Sequence, residues 1–282
     1  MDEVHYPGKE RRTFHYSRHP VKGSVIIDIM IRAELAAHFA KKYESWTPRQ
    51  LMHALNECIT AFQMSERLPL GQADELCGAR MVIAKDCGNR FSIAYVGDCF
   101  AVWETSTALQ MTNNQAYRYD ALMHSLIEDH WNDAARHLRF NPAKIQQGSA
   151  EWNTLRLEMW RRFGPQLSNA RRVHINNTQS AVGHGVLNGQ EGVERFIAEF
   201  DVPEKGLRYI LLGNNGCTPW DMESGASRPY IATLLAAAID NADDPERGLD
   251  NVIAQARQYE RKTKISHAKG GRADAACALI VP

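Results

Sequence analysis

Phe91-Ser92-Ile93-Ala94-Tyr95-Val96-Gly97-Asp98-Cys99-Phe100-Ala101-Val102-Trp103 is the stretch whose reading decides the fold. Two apolar, β-branched and aromatic runs flank a Gly-Asp pair, which reads as two strands joined by a tight turn. Upstream, residues 79–84 form a third strand-like run, and Cys87-Gly88-Asn89 supplies a hairpin turn between it and the run at 91–96. These three runs together read as a β-meander. Asp98 in the second turn is the first chemically suggestive residue, although Gly-Asp also suits a plain turn for local reasons.

The same local grammar recurs elsewhere. Residues 24–31 are β-branched and apolar around a single carboxylate, Asp28, and read as a buried strand. A carboxylate there needs a cationic partner or a metal. Residues 209–212 read as a strand followed by Asn214-Asn215-Gly216, which is also a good turn by itself. Asp274 precedes a final apolar strand at 275–281 and follows Gly270-Gly271, so it also reads as a solvated loop carboxylate. Carboxylates fixed at strand ends can converge on a hard cation, which takes several rigid oxygen ligands.

Helices fill the rest. Residues 32–43 carry apolar side chains at helical spacing. Thr47-Pro48 reads as an N-cap with proline in the first turn, opening a helix whose apolar face holds Leu51, Ala54, Leu55, Ile59 and Phe62. Residues 113–172 are rich in Trp, Arg, His and Glu and read as a helical insertion of about three helices. Its core would hold Trp131, Trp152 and Trp160. Amphipathic helices are expected at 190–200, 231–239 and 249–259. Residues 1–22 read as an extended arm or edge strand. Strands and helices in blocks, without strict alternation, argue for antiparallel sheets flanked by helices.

Composition sets outer bounds. The chain has 282 residues, with 44% hydrophobic and 23% charged, the ordinary values of a globular domain. Its 33 basic and 33 acidic side chains cancel, so no global field favours nucleic acid or an anionic membrane. A local basic patch around Arg11, Arg12, Arg18 and Lys22 stays open. The six cysteines include no Cys-x-x-Cys pair, which argues against a zinc site, and scattered thiols fit a reducing compartment. No apolar run approaches the ~18 residues of a membrane helix. A soluble, cytoplasmic protein is expected. His174, His184 and His267 fall in expected loops and read as surface histidines, and Cys99 reads as a small half-buried thiol.

In order and spacing these pieces resemble the type 2C (PPM-type) metal-dependent Ser/Thr protein phosphatases. Residues 91–103 look like that family's Val-Gly-Asp-Ser-Arg-Ala hairpin, Cys77-Gly78-Ala79-Arg80-Met81-Val82 occupies the place of its Gly-Thr-Thr strand, and Leu109-Gln110-Met111-Thr112 resembles the Leu-x-x-Thr that follows. Gly185-Val186-Leu187-Asn188-Gly189 is similar to a segment of some bacterial members. Ile210-Leu211-Leu212-Gly213-Asn214-Asn215-Gly216 resembles Leu-Leu-x-Ser-Asp-Gly, Ala273-Asp274-Ala275 the closing Asp-Asn-x-Thr, and Val25-Ile26-Ile27-Asp28 the first Val-x-Asp-Gly strand. The resemblance spans about residues 24–282. It implies an α+β fold: a four-layer αββα sandwich of two antiparallel sheets flanked by helices, one domain over 1–282 with the insertion at 113–172.

It also implies a centre of two manganese or magnesium ions, held through Asp28, the Ile29 carbonyl, Asp98, Asn215 and Asp274, with a metal-bridged water attacking phosphoserine or phosphothreonine. The departures weaken that centre. Asn215 brings no negative charge where the family has aspartate. Ile29 replaces the glycine after the first aspartate, and Ala275 and Phe100 stand where the family has asparagine and arginine. No phosphate-binding or catalytic residue is assigned.

Three readings follow. The first is a catalytically impaired relative, a pseudophosphatase, that binds a phosphoprotein or another protein partner through 113–172. The second is an active Mn/Mg-dependent phosphatase with a divergent site, which would need a further carboxylate such as Asp221 or Glu223. The third is a different αβ domain whose motif order is accidental.

Overall fold

The computed structural model describes residues 23–41, 45–73, 76–146, 148–214, 217, 228–239, 245–263 and 277–280. The arm at 1–22, with its arginines, lies outside them. So do Asn215, Asp221, Glu223, His267 and Asp274.

The chain runs α1 (Gly23–Lys41), α2 (Pro48–Ser65), β1 (Met81–Asp86), β2 (Arg90–Val96), β3 (Phe100–Thr105), β4 (Leu109–Met111), α3 (Tyr117–Leu138), α4 (Ala150–His174), β5 (Ala198–Pro203), β6 (Leu207–Gly213), α5 (Arg228–Ile239), α6 (Pro245–Thr263) and β7 (Cys277–Ile280). Two antiparallel sheets result, ordered β1-β2-β5 and β4-β3-β6-β7.

Strand alternation sorts the side chains into three apolar layers. On β2, Phe91 and Ile93 face the other sheet, while Ala94 and Val96 face the helices α1 and α2. On β3, Ala101 and Trp103 face inward, while Phe100 and Val102 join Leu234, Leu235 and Val252 of α5 and α6. Trp103 stacks on Phe200 of β5 across the sandwich, ring centroids 5.0 Å apart. The order of layers is therefore α, β, β, α, as the resemblance implies.

Helix α2 begins as its sequence dictates. Thr47 caps the N-terminus, its hydroxyl accepting from the Gln50 N–H while the Gln50 side chain accepts from the Thr47 N–H. This reciprocal box satisfies two otherwise orphaned donors. Between β4 and β5 lie α3 and α4, two long helices joined through a short 3-10 turn at Pro142–Lys144 rather than three helices. Trp131 and Trp152 are buried between them and Trp160 packs alongside, as expected of core tryptophans.

Three further expectations are corrected. Residues 24–31 are helical, the first turns of α1. A short β-branched apolar run does not distinguish a strand from a buried helical stretch. Here Ile27 and Ile31 bury one helical face against the β1-β2-β5 sheet, with Met30 and Leu35 beside them. Residues 190–200 are a 3-10 turn, Glu191–Arg195, running into strand β5. The alternation of half-buried Phe200 and buried Val202 with exposed Glu199 and Asp201 continues past the helical window. Finally, 79–103 is not a meander: β1 and β2 form a hairpin, but β3 belongs to the other sheet.

Ile93 is fully buried between the sheets. Ile93→Ala is expected to cost about 2–5 kcal/mol, whereas Thr47→Ala should cost about 1 kcal/mol through the cap alone. Urea denaturation midpoints measure both.

Candidate functional site

Because β2 and β3 lie in different sheets, Gly97-Asp98 is a corner at one end of the sandwich. Gly97 has φ +80°, and a Cβ there would meet the Arg80 side chain at 2.7 Å, so both backbone conformation and space demand glycine. Its N–H donates to Gln115 Oε1 at 3.0 Å, and Gln115 Nε2 donates to the Phe196 carbonyl at 2.8 Å. Thr112 closes the other side: its N–H donates to the Ala101 carbonyl and its hydroxyl accepts from the Ala101 N–H. The threonine that ends the Leu109–Thr112 motif is thus the clasp of β3.

Asp98 is buried, its side chain 3% exposed, and Arg80 Nη1 donates to its Oδ2 at 2.5 Å. Arg80 sits one residue before β1, beside the bridge that pairs Ala79 with Leu187. Its Nη2 lies 3.4 Å from His184 Nε2. Arginine only donates, so Nε2 is the accepting atom of this contact. The Tyr119 ring lies over His184, centroids 4.1 Å apart. Burial pushes the Tyr119 phenol above its ordinary value, while the neighbouring Arg171 and Arg80 charges pull the other way.

His184 is fully buried, which corrects its reading as a surface histidine, and His174 ends α4 rather than lying in a loop. A net of amides fixes the segment after His184. The Asn176 side chain accepts from Val186 N–H and donates to the Val186 carbonyl and to Asn188 Oδ1, and Asn56 on α2 accepts from Gly189 N–H. Cys99 is buried, more so than half.

Of the expected metal ligands, Asp28, Ile29 and Asp98 lie among the described residues. Asp28 stands on α1 and pairs with Arg32 one turn on, at 2.9 Å, the simple ion pair its isolation suggested. Ile29 is 58% exposed, and its carbonyl belongs to the helical ladder of α1. Asn215 and Asp274 lie outside the described residues. The strand ends nearest them, Gly213 and Cys277, pair with each other, and Gly213 pairs with Phe100, two residues from Asp98. Among the described residues no three His, Cys, Asp or Glu side chains are grouped to hold a metal ion. With a guanidinium on Asp98 and Arg32 on Asp28, the described residues do not fit a two-metal centre.

Gln115 and Tyr119 escaped the sequence reading, which held Arg80 only as part of the 77–82 motif and His184 only as a surface histidine. The one signal was Arg80 itself, a cation opening an otherwise apolar strand.

Two antiparallel sheets flanked by helices, with a Val-Gly-Asp corner passing between them, settle the architecture. It is an α+β sandwich of two antiparallel sheets flanked by helices, the layer order that the resemblance implies. No family model and no curated protein matches the chain. Among solved structures the chain is similar to the catalytic domain of the serine/threonine protein phosphatase PstP in complex with two manganese ions, at 15% identity over 90% of this chain and 79% of that one, TM-score 0.47. It is similar to the Mycobacterium tuberculosis serine/threonine phosphatase PstP/Ppp at 15% identity over 92% and 82%, TM-score 0.48. A third is PppA, a key regulatory component of T6SS in Pseudomonas aeruginosa, at 12% identity over 90% and 77%, TM-score 0.43.

Arg80→Ala leaves a buried carboxylate without its guanidinium and is expected to cost about 3–5 kcal/mol, with Arg80→Met/Asp98→Leu recovering most of it. Chemical denaturation of the single and double variants measures this. Tyr119 retains its proton in the fold at pH values where the unfolded chain loses it. Stability from this residue is therefore full below the ordinary tyrosine value of about 10 and falls as pH rises beyond it. The fall should be smaller in Tyr119→Phe, read from denaturation midpoints between pH 9 and 11.

Proposed function

We propose that this chain is a type 2C-phosphatase-like binding module in which an internal ion pair has taken the place of a metal-bound carboxylate. The observation that carries the reading is the Arg80–Asp98 pair. Asp98, which the family resemblance assigns to the metal centre, is buried and bonded to a guanidinium. Asp28, assigned by the same resemblance to the metal pair, is bonded to Arg32 on a helix face. Asn215 stands where a third carboxylate would be.

A guanidinium is a fixed cation that does not activate water, whereas a divalent metal lowers the pKa of a bound water toward neutrality. The pair keeps the corner electrostatically closed without supplying a nucleophile. What remains is a rigid sandwich that can present a surface. The α3–α4 hairpin is the proposed partner surface, for a phosphoprotein or another protein. On α4, Leu157 and Val173 are exposed at 47% and 44%, on the same helix as the exposed cations Arg161, Arg162 and Arg172. Of these cations Arg161 and Arg162 already face Glu158, so the helix presents exposed apolar side chains beside an ion-pair cluster.

One observation favours the second reading, a divergent Mn/Mg-dependent phosphatase. The register aligns Phe100, Gly213 and Cys277, so the strand ends next to Asp98, Asn215 and Asp274 share one edge of the sheet.

A phosphopeptide hydrolysis assay with millimolar manganese separates the two. The binding-module reading expects no turnover by the wild-type chain. Turnover by the wild-type chain that is lost in Asp274→Asn sinks it and establishes the enzyme.

A further inference from the structure

We propose that the outward face of α1 is the interface of a two-fold dimer, in which α1 packs antiparallel against α1 of a second copy of this chain. The inference does not rest on the binding-module reading.

The composition of α1 is the starting point. From Val25 to Ala40 its only polar residues are Asp28, Arg32, Glu34 and His38. A surface helix ordinarily confines its apolar side chains to one stripe, and a helix apolar on both sides is ordinarily covered on both. The inner stripe is accounted for: Ile27 and Ile31 are buried against the β1-β2-β5 sheet, with Met30 and Leu35 alongside. The opposite stripe is not. Ile29 is 58% exposed, and Ala33 and Ala36, one and two turns further along, are exposed as well. On α2, which packs beside α1, Met64 is exposed too.

An apolar stripe alone does not say what covers it, but the charges beside it do. Helical spacing puts Asp28 and Arg32 one turn apart on one flank of Ile29 and Ala36, with uncharged Ala33 on the other flank. One acid and one base give that flank no preference for a partner of net charge. They do match their own reverse. When two identical helices pack antiparallel about a two-fold axis, each flank meets the same flank of the other copy running the opposite way. Position 30 is midway between 28 and 32, so an axis there sets Asp28 of each copy against Arg32 of the other. A parallel arrangement would set the charged flank against the uncharged one. Arg32 can serve both carboxylates. It holds its own Asp28 through Nε, its side chain is 77% exposed, and a guanidinium carries further donors on its two terminal nitrogens. Ile29 then supplies the apolar contact at the centre, and the two symmetric ion pairs fix orientation and partner choice.

Size-exclusion chromatography with light scattering, on the full chain over a range of loading concentrations, tests this. Wild type is expected to pass from the mass of one chain toward that of two as concentration rises. Ile29→Asp changes an exposed position and should stay at the mass of one chain. Asp28→Arg alone and Arg32→Asp alone each set like charges together across the axis, and each should also stay at one chain. Mixed in equal amounts, these two single variants are expected to pair one to one, because one flank is then wholly basic and the other wholly acidic. A wild-type chain at the mass of one chain at every concentration overturns the proposal. So does a two-chain mass that persists in Ile29→Asp, or a mixture of the charge variants that fails to pair. Should a single charge variant not fold, Asp28→Arg/Arg32→Asp takes its place: the reversed pair is still self-complementary, so it must dimerise as wild type does, and must lose the dimer when Ile29→Asp is added.

Discussion

A carboxylate buried at the end of a β-sandwich must be neutralised, and the group that does so decides what that end of the molecule can be. Here the group is Arg80, whose guanidinium bonds to Asp98 while its other nitrogen faces His184. An ion pair of this kind gains Coulombic energy in a low-dielectric site but also bears the desolvation of both partners. Its value is therefore specificity of position as much as stability, a role for which the surroundings are built. Gly97 leaves room for the arginine stem, Gln115 fixes the corner backbone, and Tyr119 covers His184. The amides of Asn176, Asn188 and Asn56 then hold the segment that follows His184.

Much of the fold was legible because strands in a two-sided sandwich alternate strictly. Phe91, Ile93 and Ala101 point one way and Ala94, Val96 and Val102 the other, and the apolar runs at 79–84, 91–96, 100–103 and 209–212 announce β1, β2, β3 and β6. The Thr47-Pro48 cap announced α2 just as clearly. Residues 24–31 misled because Val25, Ile26, Ile27, Ile29 and Ile31 favour strand locally, whereas the face that buries is the helical one at 27, 30, 31 and 35. The strand at 198–203 was hidden by the apolar residues of 193–200, which fit a helical wheel over a short window.

The site was less legible. The Gly97-Asp98 motif placed the carboxylate correctly, but its partner lies 18 residues upstream, just before the strand that pairs with β2, and His184 lies 104 residues from Arg80. Pairings of that separation are set by topology and not by local pattern. The sequence also suggested that the corner joins two strands of one sheet, when it joins two sheets. The missing charge at Asn215 and the arginine at position 80 point in the same direction, toward a site balanced from within.

Thermal unfolding of wild type and Arg80→Met, each with and without millimolar manganese, tests this balance most directly. If Arg80 already neutralises Asp98, manganese leaves the wild-type Tm unchanged and raises that of the variant, in which the carboxylate lacks its guanidinium. A manganese-dependent rise in the wild-type Tm with Arg80 in place would contradict the account.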